Sequence, residues 1–165
     1  CLVAVLLPMG FYMVWRYGAT DNDSVTQTLF DLHKLLGFVV LWLLVARVVV
    51  RLARGVPPAP HTLPRWQRLA AATTHLGLYA LLLVLPLSGW LGASAYDLLS
   101  LPAGLRLPRI LAKDTDLAGR ILWWHGWGAI ALALLCGAHI TAALMHRFVF
   151  RDGVFERMWP SRRKS

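Results

Sequence analysis

Residues 120–148 read RILWWHGWGAIALALLCGAHITAALMHRF, a long apolar run that carries three histidines. A helix rises about 1.5 Å per residue, so about 20 apolar residues cross the roughly 30 Å of membrane hydrocarbon. This run is therefore long enough to span a membrane. His125 and His139 lie 14 residues apart, close to four helical turns, which predicts that they point to the same side of one helix, about 21 Å apart.

Composition extends this prediction to the whole chain. The 165 residues are 58% hydrophobic and only 15% charged, against about 25% charged in a typical soluble domain. Apolar runs predict four spans in a single domain, at 1–16, 30–52, 69–93 and 120–148. The expected fold class is all-α, an integral membrane four-helix bundle. Because Cys1 already lies inside an apolar run, we expect the first span to lack its beginning.

The charges lie in the connections between these runs. The net charge of +9 does not indicate nucleic-acid binding, because the basic residues flank apolar stretches as they do in cytoplasmic loops of membrane proteins. Residues 51–68 and the tail after His146 are rich in arginine, which predicts that both termini are cytoplasmic. Residues 94–119 would then face outward, although they carry Arg106, Arg109 and Lys113.

Placing a histidine inside a membrane span costs free energy, so each such histidine is a candidate functional residue. His33 and His125 each lie about one turn into a span that starts at the outer surface, so they should share one depth. A planar haem takes one axial imidazole on each side, which makes His33 the natural partner of His125. The partner of His139 stays open between His75, His146 and a histidine on the missing part of the first span, although His146 shares the helix of His139. His61 is excluded by its position in a Pro-rich loop.

Several strings resemble the bacterial cytochrome b561 family, in the group shared with cytochrome b subunits of nickel-iron hydrogenases. They are LHKLLGFVVLWLLVARVVVRL, HLGLYALLLVLPLSGWL, LPRILAKD, LWWHGWG and AHITAALMHRFVFRDGVFERMWP, which together cover most of residues 31–160. The resemblance implies a bundle in a bacterial inner membrane with two b haems, one near each surface.

The resemblance also assigns roles to individual residues. His33 and His125 match the outer axial pair, and His139 matches the inner ligand on the fourth span. The family partner of His139 is a histidine early in the first span, before the point at which this sequence starts. His75 and His146 match positions near the inner haem and are quinone-site candidates. Arg47 is a candidate partner for a haem propionate, and Arg51 is interpreted as an anchor of the helix end.

The predicted function is transfer of electrons between a periplasmic donor, with superoxide as one candidate, and ubiquinone. One alternative is a membrane-anchor subunit of a hydrogenase or dehydrogenase. Another, from a different class, is a non-redox transporter or metal-ion channel that uses intramembrane histidines. Zinc is disfavoured, since no third ligand lies at matching depth. The sequence leaves the donor, the direction of electron flow and the oligomeric state open.

Overall fold

The computed structural model describes residues 2–19, 24–55 and 64–154. The described chain forms four helices: α1 (Leu2–Ala19), α2 (Ser24–Arg54), α3 (Arg65–Tyr96) and α4 (Thr115–Met145). A short 3₁₀ turn, Pro102–Gly104, lies between α3 and α4, and a π-helical turn, His146–Phe150, continues α4. His61 and the basic residues after Val154 lie outside the described residues.

The helices form an all-α membrane bundle, as the sequence predicts. Helices α2 and α3 and the continuous segment Thr115–Phe150 are long and apolar enough to cross a membrane, and the apolar part of α1, Leu2–Arg16, is shorter. Helix α3 packs extensively on α4 and also on α2, and α1 packs on α2. Helices α2 and α4 share few close backbone contacts among the described residues. A gap between α2 and α4 is therefore bridged by side chains.

The helices extend beyond the predicted apolar spans. Helix α2 begins at Ser24, six residues before its predicted span, and α4 begins at Thr115. The start of α4 is fixed by Asp114, whose carboxylate accepts a hydrogen bond from the Leu117 amide at 2.9 Å. Polar residues that leave the hydrocarbon remain helical, so an apolar run marks the membrane crossing and not the helix end.

Residues 97–114 close one end of the bundle, which we call the loop end. Leu99, Leu101 and Leu107 are buried there together, against Trp90 of α3 and against Leu35 and Phe38 of α2. The Trp90 indole donates to the carbonyl of Pro108 at 2.9 Å. The fully buried Ser94 hydroxyl accepts hydrogen bonds from the amides of Ile110 and Leu111. The loop is therefore tied to α3 by specific hydrogen bonds as well as by apolar contact.

The opposite end, which we call the arginine end, lies where α2 finishes and α3 begins. Its basic residues are Arg51, Arg54, Arg65 and Arg68. Between the two ends, α3 and α4 approach closely at small residues. A Cβ added at Gly92 would lie 2.5 Å from Cδ2 of Leu122, and one at Gly128 would lie 2.8 Å from Cδ2 of Leu85. Helices in membranes use such small residues to bring their backbones together.

The Gly92–Leu122 contact generates a prediction about packing. Gly92→Ala should lower the stability of the bundle by about 1–3 kcal/mol, because the extra methyl group forces Leu122 out of its position. The measurement is the thermal unfolding midpoint in detergent. Gly119→Ala is the control, since its added Cβ would meet only the Tyr96 hydroxyl, at an ordinary 3.5 Å. Leu122→Ala should recover part of the loss in the Gly92→Ala background, and equal midpoints for the two glycine variants would contradict this account.

Candidate functional site

The imidazoles of His33 on α2 and His125 on α4 meet near the loop end. Their ring centres lie 6.2 Å apart with an angle of 77° between the ring planes. Both side chains are partly buried. The structure therefore brings together the two histidines that the sequence placed at one depth, across the gap between α2 and α4.

The spacing of these rings can be compared with that of a metal held from both sides. An imidazole nitrogen binds a transition metal at about 2 Å, and the ring centre lies roughly 1 Å behind it, so two opposed ligands have ring centres about 6 Å apart. The observed 6.2 Å fits this requirement. Within the described ranges, no group of three or more His, Cys, Asp or Glu side chains gathers in a way that could hold a metal ion. The arrangement therefore suits a group that supplies its own equatorial ligands.

Glycines surround this pair. A Cβ at Gly10 of α1 would lie 3.4 Å from Cε1 of His33, and one at Gly89 of α3 would lie 3.2 Å from Cε1 of His125. A Cβ at Gly37 or Gly126 would meet no described atom within 4 Å. Gly37 lies one turn after His33, and Gly126 follows His125. These positions leave room beside both rings for the edge of a flat group such as a porphyrin.

The His125 ring is also tied to α3. Its Nδ1 atom lies 3.0 Å from the carbonyl oxygen of Leu85 and 3.1 Å from the hydroxyl of Ser88. Nδ1 of His33, in contrast, is buried without a hydrogen-bond partner in the described part of the chain. The sequence analysis missed Leu85 and Ser88, because a backbone carbonyl and a lone serine carry no recognisable ligand pattern.

Comparison with known proteins agrees with this geometry. Residues 1–161 match the family model described as prokaryotic cytochrome b561. The chain belongs to the prokaryotic cytochrome b561 family. It is 33% identical over 152 residues to cytochrome b561 homolog 2 of Escherichia coli K12, covering 88% of this chain and 78% of that protein.

Two further relatives are more distant. The probable superoxide oxidase CybB of Yersinia pestis is 27% identical over 135 residues, covering 80% of this chain and 75% of that protein. Cytochrome b561 homolog 1 of E. coli K12 is 28% identical over 134 residues, covering 81% and 76%. Membership of the cytochrome b561 family means that the chain is a multi-pass membrane cytochrome that binds haem b and transfers electrons.

A second pair of imidazoles lies closer to the arginine end. His75 of α3 and His139 of α4 have ring centres 5.3 Å apart, with 65° between their planes. This distance is shorter than the roughly 6 Å of two ligands on opposite sides of one metal, so the two rings contact each other directly. The structure thus brings His75 to the predicted inner ligand, one turn before Tyr79 on the same helix.

Arg47 and Arg51, the two arginines named in the sequence analysis, both hydrogen-bond to Tyr79 of α3. Its hydroxyl accepts hydrogen bonds from Nε of Arg47 at 3.0 Å and from Nη1 of Arg51 at 3.5 Å. The Arg51 guanidinium also lies 5.5 Å from the centre of the Tyr79 ring. Both arginines therefore turn toward α3 and concentrate positive charge one turn from His75. The sequence analysis missed Tyr79, whose role depends on how α2 and α3 face each other.

His146 takes a different position from the other histidines. It lies in the π-helical turn two turns beyond His139, and its Nδ1 is 2.6 Å from a carboxylate oxygen of Asp152. Its ring also contacts Phe150. Partial loss of hydration raises the pKa of Asp152, but the hydrogen bonds from His146 and from the Val154 amide outweigh it, and the net pKa lies below its ordinary value.

The basic residues of the loop at 97–114 differ in their contacts. Arg106, Arg109 and Lys113 are all exposed, and Arg109 forms an ion pair with Asp97. Lys34 of α2 forms an ion pair with Asp31 on the same helix and reaches the loop, where it donates to the carbonyl of Leu98 at 3.0 Å. Trp123, Trp124 and Trp127 are exposed in the first half of α4, whereas the Trp90 indole donates to the loop.

The contact of His146 with Asp152 generates a testable prediction. Asp152→Ala removes the partner of His146 and the acceptor of the Val154 amide, so amide hydrogen exchange over 146–154 should accelerate. Exchange over 120–140 should not change. Asp116→Ala, an exposed carboxylate in the first turn of α4, is the control. Protection of 146–154 that is the same in both variants would show that the pair does not hold this turn.

The lowered pKa of Asp152 determines how the stability contributed by its contact with His146 changes with pH. Since the pKa is lower in the folded protein, the pair contributes stability above the ordinary aspartate pKa of about 3.9, and that contribution is lost as pH falls through the folded value. The His146 contact should therefore persist at neutral pH. Chemical shifts of the Val154 amide followed through an acid titration measure this loss.

Proposed function

We propose that this protein carries two b haems and moves electrons from a donor at the loop end to ubiquinone at the arginine end. The observation that carries the proposal is the His33–His125 pair, whose ring centres lie 6.2 Å apart across the gap between α2 and α4. Two polar rings placed opposite each other in an apolar bundle need a chemical reason, and axial ligation supplies one.

At the loop end, His33 and His125 would hold the outer haem. When bound there, haem b would supply the one-electron couple of its iron, which suits an electron carrier. The surrounding residues exclude water, since the leucines of the loop are buried beneath the bundle end. Gly37 and Gly126 leave space at the backbone for the edge of the group.

At the arginine end, His139 would hold the inner haem. His75 lies against His139, and Arg47 and Arg51 converge on Tyr79 one turn away. Guanidinium groups form strong, charge-assisted hydrogen bonds to carboxylates, so Arg47 is suited to pair with a haem propionate. His75 and His146 are the proposed quinone-site residues, since an imidazole can pass a proton to a reduced quinone. His146 has a carboxylate partner, Asp152, for such a transfer.

Superoxide is the proposed donor at the loop end. The Yersinia pestis relative is named a probable superoxide oxidase, and it covers 80% of this chain. Oxidation of superoxide to dioxygen releases one electron, so two superoxide ions and two protons convert one quinone to quinol. Arg106 and Lys113 are exposed in the outer loop and would attract an anion. Arg109 contributes less, because Asp97 neutralises it.

The arginine end is the proposed cytoplasmic end of the bundle in a bacterial inner membrane. Arg51, Arg54, Arg65 and Arg68 lie at or near the end of α2 and the start of α3, and cytoplasmic connections carry an excess of such residues. With four crossings, both chain ends lie on that side. This orientation places the outer loop, with Arg106 and Lys113, in the periplasm.

Substitution of the histidines with alanine tests the assignment. His33→Ala and His125→Ala should each lose the same one of two haems, and His139→Ala should lose the other, because a b haem without an axial ligand is released or becomes high-spin. The measurements are the pyridine haemochrome count and the Soret spectrum of the purified full-length protein. His146→Ala is the matched control and should keep both haems while quinone reduction falls.

Other results would support other functions. Unchanged haem content together with an unchanged low-spin Soret spectrum in His125→Ala would refute the ligand assignment, and a colourless protein from iron-replete cells would indicate a transporter or channel. Stable copurification with a hydrogenase or dehydrogenase would indicate an anchor subunit. Stopped-flow reduction by superoxide that is equal in the wild type and in Arg106→Gln/Lys113→Gln would remove the proposed role of those two residues.

A further inference from the structure

The hydrogen bonds around Nδ1 of His125 define which nitrogen of this ring carries the hydrogen. Nδ1 lies 3.0 Å from the Leu85 carbonyl oxygen, and that oxygen can only accept a hydrogen bond. The contact is favourable only if Nδ1 donates. In the other tautomer, two lone pairs would face each other at hydrogen-bond distance. The surroundings of Nδ1 therefore select the tautomer that leaves the lone pair on Nε2.

Ser88 completes this arrangement. Its hydroxyl donates to the Leu85 carbonyl at 2.9 Å, and its oxygen lies 3.1 Å from Nδ1 of His125. The Nδ1 hydrogen is thus shared between the Leu85 carbonyl and the Ser88 oxygen, while the hydroxyl hydrogen points to the carbonyl. Every hydrogen in the cluster has an acceptor, and the imidazole contacts two fixed groups on one turn of α3.

Helix α3 is shaped to permit this contact. Gly89 follows Ser88, and a Cβ there would lie 3.2 Å from Cε1 and 3.5 Å from Nδ1 of His125. Gly128 of α4 leaves space for the Leu85 side chain, so α4 can lie close to this turn of α3. The His33 ring is not held by an equivalent hydrogen bond, since its Nδ1 has no hydrogen-bond partner among the described residues.

We propose that Ser88 and the Leu85 carbonyl are positioning groups for His125, which fix its tautomer and ring orientation and lower the reduction potential of the outer haem. The proposal rests on the proposed function, in which His125 is an axial ligand. A ligand imidazole that donates from Nδ1 becomes a stronger base at Nε2, and such a ligand favours the ferric over the ferrous iron.

The test is a set of variants at position 88 in the full-length haem-loaded protein. Ser88→Ala should raise the midpoint potential of the outer haem, with a change of up to about tenfold in its reduction equilibrium, which is 59 mV for a one-electron couple. The low-spin ferric EPR signal of that haem should shift or broaden, because the ring is less constrained. Ser88→Thr should keep both wild-type values, because it keeps the hydroxyl.

Thr73→Val is the matched control. Thr73 is also on α3, and its hydroxyl donates to the carbonyls of Leu69 and Ala70 just as Ser88 donates to Leu85. Loss of that bond should leave the outer haem potential unchanged. Gly89→Ala is an independent second variant, because its methyl group pushes on His125 and should shift the same potential and the same EPR signal with Ser88 intact.

The possible outcomes distinguish a failure of this positioning role from a failure of the proposed function on which it rests. A potential and an EPR signal in Ser88→Ala identical to those of the wild type would overturn the positioning role, while the haem ligation by His33 and His125 would stand. Loss of the outer haem from folded Ser88→Ala, with retention in Ser88→Thr, would support the role. A wild-type protein with no haem would overturn the proposed function itself.

Discussion

The close packing of α3 against α4 is the interaction on which the rest of this bundle, including the meeting of His33 and His125, depends. Helices α2 and α4 share few close backbone contacts, and α3 lies against both of them. The two imidazoles therefore reach across a gap whose width is set by α3. Small residues determine that geometry, because Gly92 and Gly128 let α4 lie close against α3, while Gly89 makes room for the His125 ring. Packing between α3 and α4 thus positions a ring that faces α2.

Much of the fold follows from the sequence because membrane helices obey two simple constraints. The hydrocarbon thickness fixes the length of an apolar run, and the helical rise converts residue number into depth. His33 and His125 could be paired on depth alone, and the structure places them at 6.2 Å. The helix ends were less predictable. Ser24 and Thr115 begin their helices well outside the apolar runs, since polar turns remain helical beyond the hydrocarbon.

The surroundings of the histidines were not predictable in the same way. Whether Tyr79 or another residue of α3 faces Arg47 depends on the rotation of α3 about its axis, and α3 is apolar nearly all round. The Leu85 carbonyl has no sequence signature, because every residue carries one. The contact of His75 with His139 required knowledge of both helix rotations. The depth of a side chain in the membrane follows from its residue number. The rotation of each helix about its axis, in contrast, is determined by how the helices pack.

The two ends of the bundle differ in a way that bears on electron flow. At the loop end, the two groups that hydrogen-bond to His125, the Leu85 carbonyl and the Ser88 hydroxyl, are neutral, and the Nδ1 bond would favour the oxidised iron on the proposed function. At the arginine end, two guanidinium groups lie one turn from His75. Positive charge in a low-dielectric environment stabilises an added electron, so it raises the potential of a nearby haem. Both effects act in the same direction. On the proposed function, they would favour transfer from the loop end to the arginine end, which is the direction that the proposed outer donor and inner quinone require.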